Sequence, residues 1–238
     1  MEDKIQMFKK LVTESNSIVF FGGAGVSTES GIPDFRSEDG LYNQQYKYPP
    51  EIILSHNFFI NNTEAFYAFY KTKMNSLNYA PNITHIKLAQ LENLGKLKAI
   101  VTQNIDGLHQ KAGAKVVYEL HGSILRNYCM KCNKFYDADY VFNCKDVPKC
   151  NCGGIIKPDV VLYQEGLDDE ILNKSVKAIA NADMLIVAGT SLTVQPASSL
   201  INYYMGNKLI LINKEPTPYD TNANLVINEP LGNVFKEI

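Results

Sequence analysis

A chain of 238 residues with 45% hydrophobic content can fill one large domain, or one domain carrying a smaller insertion. Lys plus Arg (23) nearly balances Asp plus Glu (25), which argues against nucleic acid or an anionic membrane as the main partner. No run is long and apolar enough to span a bilayer, and Met1-Glu2-Asp3-Lys4 lacks the pattern of a secretory leader, so the expected location is the cytoplasm.

Ile5, Phe8, Leu11 and Val12 recur at helical spacing and predict an opening helix. The apolar run Ile18-Val19-Phe20-Phe21 then enters Gly22-Gly23-Ala24-Gly25-Val26-Ser27-Thr28 and continues to Gly31-Ile32-Pro33-Asp34-Phe35-Arg36. It reads as a buried strand delivering a phosphate-binding turn, whose glycines leave main-chain N–H groups at the next helix start open to a pyrophosphate. Gly23-x-Gly25 matches the first two glycines of the dinucleotide fingerprint, but Thr28 holds the third position. A plain tight turn stays open as the alternative. No Gly-Lys-Ser/Thr follows, which excludes the other common phosphate loop. Arg36 suits phosphate or ribose contacts.

From Leu41 to Tyr79 the chain is rich in Tyr, Phe and Asn, and reads as irregular chain followed by short helices. Ile83, Ile86, Leu88, Ala89, Leu91 and Leu94 predict a helix closed by Gly95. The strand at 98–102 ends in Gln103-Asn104-Ile105-Asp106-Gly107-Leu108-His109, and the strand at 116–120 ends in His121-Gly122-Ser123. Ligands of open α/β sheets bind at such carboxyl ends, although Asn, Asp and Gly also make ordinary turns. Of the four histidines only His121 sits at a strand exit, where it could take a proton from a ribose hydroxyl.

All five cysteines fall between Asn127 and Lys157. Cys129-x-x-Cys132 and Cys150-x-Cys152 have the spacing of two thiolate pairs closing a tetrahedral site, which predicts one structural zinc ion. Disulfides and scattered core cysteines are the alternatives, and Cys144 has no neighbour at ligand spacing. Beyond a helix at 168–181, strands at 184–188, 208–212 and 225–227 follow, the first two ending in Gly189-Thr190-Ser191-Leu192 and Asn213-Lys214-Glu215. The nearly continuous apolar strands predict an α/β fold: a Rossmann-like parallel sheet domain with a smaller lobe inserted.

These strings resemble the sirtuin family of bacterial-type NAD-dependent protein-lysine deacylases. The matching segments run in order along nearly the whole chain: Gly23 to Ser27, Gly31 to Arg36, Thr102 to His109, Leu120 to Gly122, the paired cysteines, Lys157 to Val161, Gly189 to Leu192 and Leu211 to Asn213. The resemblance implies a Rossmann-like NAD-binding domain from 1–36, 82–124 and 158–238, with a helical module (37–81) and a zinc ribbon (125–157) forming the small domain. It implies that Ala24, Thr28, Phe35 and Arg36 line the NAD pocket, with Gln103, Asn104, Ile105 and Asp106 around the nicotinamide and its ribose. Thr190, Ser191, Asn213 and Ile227 would hold the adenosine half. Val161, Leu162 and Tyr163 would wall an acyl-lysine tunnel, and an acetylated peptide would add as a strand between residues 163–166 and the stretch around Val194.

In this scheme His121 is the general base toward the ribose hydroxyls and Asn104 steers the charged ribose centre. The acetyl group passes to ADP-ribose and nicotinamide is released. Desuccinylating relatives carry Tyr-x-x-Arg where this chain has Tyr67 and Tyr70, so the expected acyl groups are acetyl and longer neutral chains, with acetyl ahead of succinyl. An NAD-consuming ADP-ribosyltransferase, or a non-enzymatic zinc-ribbon adaptor that senses a nucleotide, are the competing readings.

Overall fold

The uninterrupted apolar runs become parallel strands. In the computed structural model, which describes residues 2–34, 40 and 47–238, the strands are Ile18–Gly22 (β1), Leu97–Thr102 (β2), Val117–Glu119 (β3), Gly122–Cys129 (β4), Phe135–Tyr136 (β5), Ile156–Val160 (β6), Met184–Ala188 (β7), Leu209–Ile212 (β8) and Leu225–Ile227 (β9). A six-stranded sheet has the order β3-β2-β1-β7-β8-β9, with each neighbouring pair parallel. Every residue of β1 and β7 is buried, as expected for strands covered on both faces.

The covers are helices: Glu2–Glu14 (α1), Pro50–Ile53 (α2), His56–Asn61 (α3), Thr63–Lys73 (α4), Ile83–Asn93 (α5), Leu108–Lys111 (α6), Ala138–Asn143 (α7), Asp169–Ala180 (α8) and Leu231–Phe235 (α9). Phe8 and Val12 of α1, Leu88 and Leu91 of α5, and Val234 and Phe235 of α9 pack on one face of the sheet. Ile179 of α8 and Leu200 and Ile201 pack on the other. No helix of the described residues is long and apolar enough to cross a membrane.

The buried face of α5 is rotated from the one its apolar residues predict. Ile86 and Leu94 are 40% and 73% exposed, whereas Thr84, His85, Leu88, Ala89 and Leu91 are buried. The cause lies at the N-cap. The Asn82 side chain accepts from Thr84 N (3.0 Å) and His85 N (3.4 Å), and Asn82 N donates back to His85 Nδ1 (3.3 Å), which holds the imidazole against the core. His109 of α6 lies beside it, with ring centroids 4.7 Å apart, and neither of its ring nitrogens has a partner among the described residues.

Burial lowers the His85 pKa from 6.5 to about 4, and burial, reinforced by the neighbouring His85, drives that of His109 well below 6.5. Both rings are therefore neutral in the folded chain at pH 7. The unfolded chain takes up protons below about pH 6.5 while the native one resists, so stability is complete above that value and declines as pH falls toward 4. The expected loss between pH 7 and pH 5 is roughly 2 kcal/mol from His85, and His109 acts in the same direction. Urea midpoints at the two pH values measure it; a difference that survives unchanged in His85→Gln contradicts the assignment.

A second, antiparallel sheet has the order β5-β4-β6. It packs with Phe58, Phe59, Phe66, Tyr67 and Tyr70 of α3 and α4 and Val141 of α7. The short helices anticipated after residue 41 are α2 to α4; residues 41–46 lie outside those described. The second sheet begins at Gly122 and ends at Val160, so it runs past 125 and 157 on both sides and meets the parallel sheet at His121.

Candidate active site and metal centre

Strand order reverses between β1 and β7: the chain moves outward through β2 and β3 on one side and through β8 and β9 on the other. Open parallel sheets form their ligand crevice at this switch point. Here the loops leaving β1 and β7 touch main chain to main chain, with Gly25 N donating to Gly189 O at 2.8 Å and Gly23 N to Ala188 O at 3.3 Å. A Cβ on Gly25 would lie 2.8 Å from Gly189 Cα, and one on Gly189 (φ +61) would lie 2.5 Å from Val26 N. These glycines thus serve the close approach of two loops. The turn also opens into two short 3₁₀ turns, Ala24–Val26 and Thr28–Ser30, where the sequence suggests one helix start.

The loop after β2 folds onto this turn through Ser27. Its hydroxyl donates to Asp106 Oδ2 at 2.6 Å and accepts from Asn104 Nδ2 at 3.1 Å, while Leu108 N donates to Asp106 Oδ1 at 2.9 Å. Burial raises the Asp106 pKa, opposed by these two hydrogen bonds. Ser27 is a site residue that sequence reasoning missed. It lies 77 and 79 positions from its partners, and no spacing or period signals such a contact. Ala24 and Thr28 line the same turn, where Thr28 Oγ1 donates to Gly25 O at 3.1 Å. Ile105 packs against the core of the second lobe and its carbonyl accepts from Ile124 N.

Gln103 connects three strand exits. Its N–H donates to Gly22 O at 2.9 Å, its Nε2 to Thr190 Oγ1 at 3.1 Å, and its carbonyl accepts from His121 Nδ1 at 3.0 Å. A carbonyl only accepts, so Nδ1 of the neutral ring carries the hydrogen and Nε2 holds the lone pair. Burial lowers the His121 pKa from 6.5, and the hydrogen bond to Gln103 partly opposes this.

At the other end of the crevice, Asn213 Oδ1 accepts from Thr190 N at 2.9 Å, and Asn213 Nδ2 is a buried donor without a partner among the described residues. An unpaired buried donor on a crevice rim fits an absent polar ligand. The Ile227 side chain is buried in the core, and Ile227 reaches the rim through its carbonyl, which accepts from Asn213 N at 3.1 Å. Ser191 is exposed, its hydroxyl 2.8 Å from Thr193 Oγ1. Phe35 and Arg36 lie outside the described residues.

Val161 N donates to His121 O at 3.0 Å, so residues 161–163 begin beside the histidine. Leu162 is buried, and the main chain of Tyr163 is occupied by the α2–α3 connection: Tyr163 N donates to Leu54 O and His56 N to Tyr163 O, each at 2.9 Å. Tyr67 and Tyr70 are wholly enclosed. The Tyr67 hydroxyl donates to Ile156 O, and Tyr70 stacks with Phe66 and Phe142 at 5.4 Å and 5.6 Å.

The metal-ligand atoms of Cys129, Cys132, Cys150 and Cys152 all lie within 4.8 Å of one another, and three of the sulfur pairs are 3.5 Å apart. Tetrahedral zinc with Zn–S near 2.3 Å requires sulfurs about 3.8 Å apart, so the four thiolates are positioned to bind one zinc ion with no open position. Cys144 is not in this group; its carbonyl accepts from Lys71 Nζ.

Residues 23–196 match the Sir2 family. An NAD-dependent protein deacetylase of Clostridium acetobutylicum is 62% identical over 240 residues, covering 99% of this chain and 98% of that protein. One from Clostridium tetani is 58% identical, covering 98% and 96%. Among solved structures, a Sir2 enzyme with 39% identity has a TM-score of 0.91 and covers 100% of this chain and 97% of its own. A Sir2 variant crystallised with deacetylated p53 peptide and 3′-O-acetyl ADP ribose has 38% identity and a TM-score of 0.91, covering 98% and 96%. This chain belongs to the Sir2 family.

Proposed function

We propose that this chain is an NAD-dependent protein deacetylase that moves the acetyl group of an acetyl-lysine side chain to ADP-ribose and releases nicotinamide. The observation that carries the reading is the fixed tautomer of His121: with Nδ1 tied to Gln103 O, the basic Nε2 stays unprotonated on a residue held, through Gln103, to the exits of β1 and β7. NAD, when bound, supplies an electrophilic ribose carbon, a nicotinamide leaving group and the ribose hydroxyls. His121 accepts a proton from a hydroxyl, its ring neutral at pH 7 because burial lowers its pKa. Asn104 gives its amide hydrogen to Ser27, so its oxygen is the end left for a positively charged sugar centre, with Asp106 anchoring Ser27.

Ala24, Thr28, Gln103, Ile105 and Asp106 are assigned to the phosphate and nicotinamide half, and Thr190, Ser191, Asn213 and the Ile227 main chain to adenosine. The unpaired Asn213 Nδ2 supports that assignment. Val161, Leu162 and Tyr163 are assigned to the acyl-lysine wall. The main chain of Tyr163 is already used, so the peptide would pair with the edge beyond it. We assign residues 1–36, 82–124 and 158–238 to the NAD-binding domain and 37–81 and 125–157 to the small domain, with the sheet residues 122–124 and 158–160 forming the join between them, and the enzyme to the cytoplasm.

The test mixes the protein with adenine-labelled NAD and an acetyl-lysine or succinyl-lysine peptide. Nicotinamide release is expected to require peptide and to be faster with acetyl, because neither Tyr67 nor Tyr70 offers a charge to a succinyl carboxylate. The label should leave on O-acetyl-ADP-ribose. Label on protein would instead identify an ADP-ribosyltransferase.

A further inference from the structure

Arg126 joins the two sheets around the turn that carries His121. Its Nη1 donates to Glu119 Oε2 and its Nε to Asp159 Oδ2, each at 2.7 Å. Glu119 ends β3, two residues before His121. Asp159 lies on β6, two residues before Val161, whose N–H donates to His121 O. The histidine and its main-chain partner are therefore each tethered, at the same distance along the chain, to one guanidinium.

Two local features make the reach possible. The β4–β6 register jumps from Ser123↔Asp159 to Asn127↔Pro158, a bulge that contains Arg126, and bulges redirect side chains beside functional sites. Gly122 (φ +73) has Asp159 O 1.9 Å from where a Cβ would stand, so β6 presses directly on the residue after His121. Serving both carboxylates takes two donors in fixed directions, which a planar guanidinium supplies and an ammonium point charge does not. The Glu119 carboxylate is only 8% exposed, against 38% for Arg126 and 42% for Asp159, so without Arg126 it would be a buried charge lacking a counter-ion.

We infer that Arg126 is a positioning residue: by tying Glu119 to Asp159 it fixes the His121 imidazole relative to the 161–163 wall, so that base and acyl-lysine share one registry. This rests on the deacetylase reading above. Because placement of the base governs the reaction more than capture of peptide, losing the brace should act on kcat. Displacement of a catalytic group by about 1 Å can lower rates by about 10²-fold.

The experiment compares wild type, Arg126→Met, Arg126→Lys and Glu119→Gln for kcat, peptide KM and the pH profile of kcat/KM, well below each melting temperature. Arg126→Met is expected to lower kcat by about 10- to 100-fold with KM nearly unchanged, and Arg126→Lys to recover part of it. The acid limb should also move upward in both Arg126→Met and Glu119→Gln, because a loosened turn admits water to His121; a loss of folded enzyme alone would scale the profile without moving it. If Arg126→Met does not fold, Glu119→Gln decides through the same limb. Wild-type kcat and an unmoved limb in the folded variants would overturn the brace alone, whereas a wild type that releases no nicotinamide with peptide would overturn the deacetylase reading.

Discussion

His121→Ala is expected to slow peptide-dependent nicotinamide release, measured under saturating NAD, by on the order of 10²–10⁴-fold, the usual contribution of a general base. Its melting temperature should change little, since Gln103, which loses one donor, keeps its bonds to Gly22 and Thr190. The base works in its neutral form, and burial holds its pKa below 6.5. Wild-type kcat/KM should accordingly stay high as pH falls through 6.5 and decline only below it. Full activity in His121→Ala would remove the imidazole from the chemistry.

Metal withdrawal should have an effect of comparable size through a different route. Structural zinc contributes on the order of 10 kcal/mol or more, comparable with the whole stability of a typical domain. A strong chelator, or Cys129→Ser, is expected to unfold the second sheet and to abolish deacetylation together with it. The two losses are coupled because β4 runs without interruption from Gly122, next to His121, to the ligand Cys129. Thermal melts and hydrogen exchange along 122–160, with and without chelator, measure this. A melting curve unchanged after metal removal counts against a structural ion.

The parallel sheet was legible because its strands are apolar on both faces: β1, β2, β7, β8 and β9 stand within a residue of the runs that announce them. His121 was legible because it follows such a run, and the zinc ligands because thiolate pairs must be closely spaced. Less legible were contacts whose partners lie far apart in sequence. Ser27 meets Asn104 and Asp106, and Arg126 meets Asp159, only after the loops converge. The rotated face of α5 escaped because a capping histidine overrode the apolar pattern, burying His85 and leaving Ile86 in solvent.

The contact between Gly25 and Gly189 leaves this architecture without a local remedy at its centre. Where two side chains meet, an enlargement on one side can be answered by a reduction on the other; here both partners are already the smallest residue, and the obstructing atoms are backbone. A methyl group at either position must push the halves of the sheet apart along the line where the dinucleotide would lie, and no second substitution can make room for it.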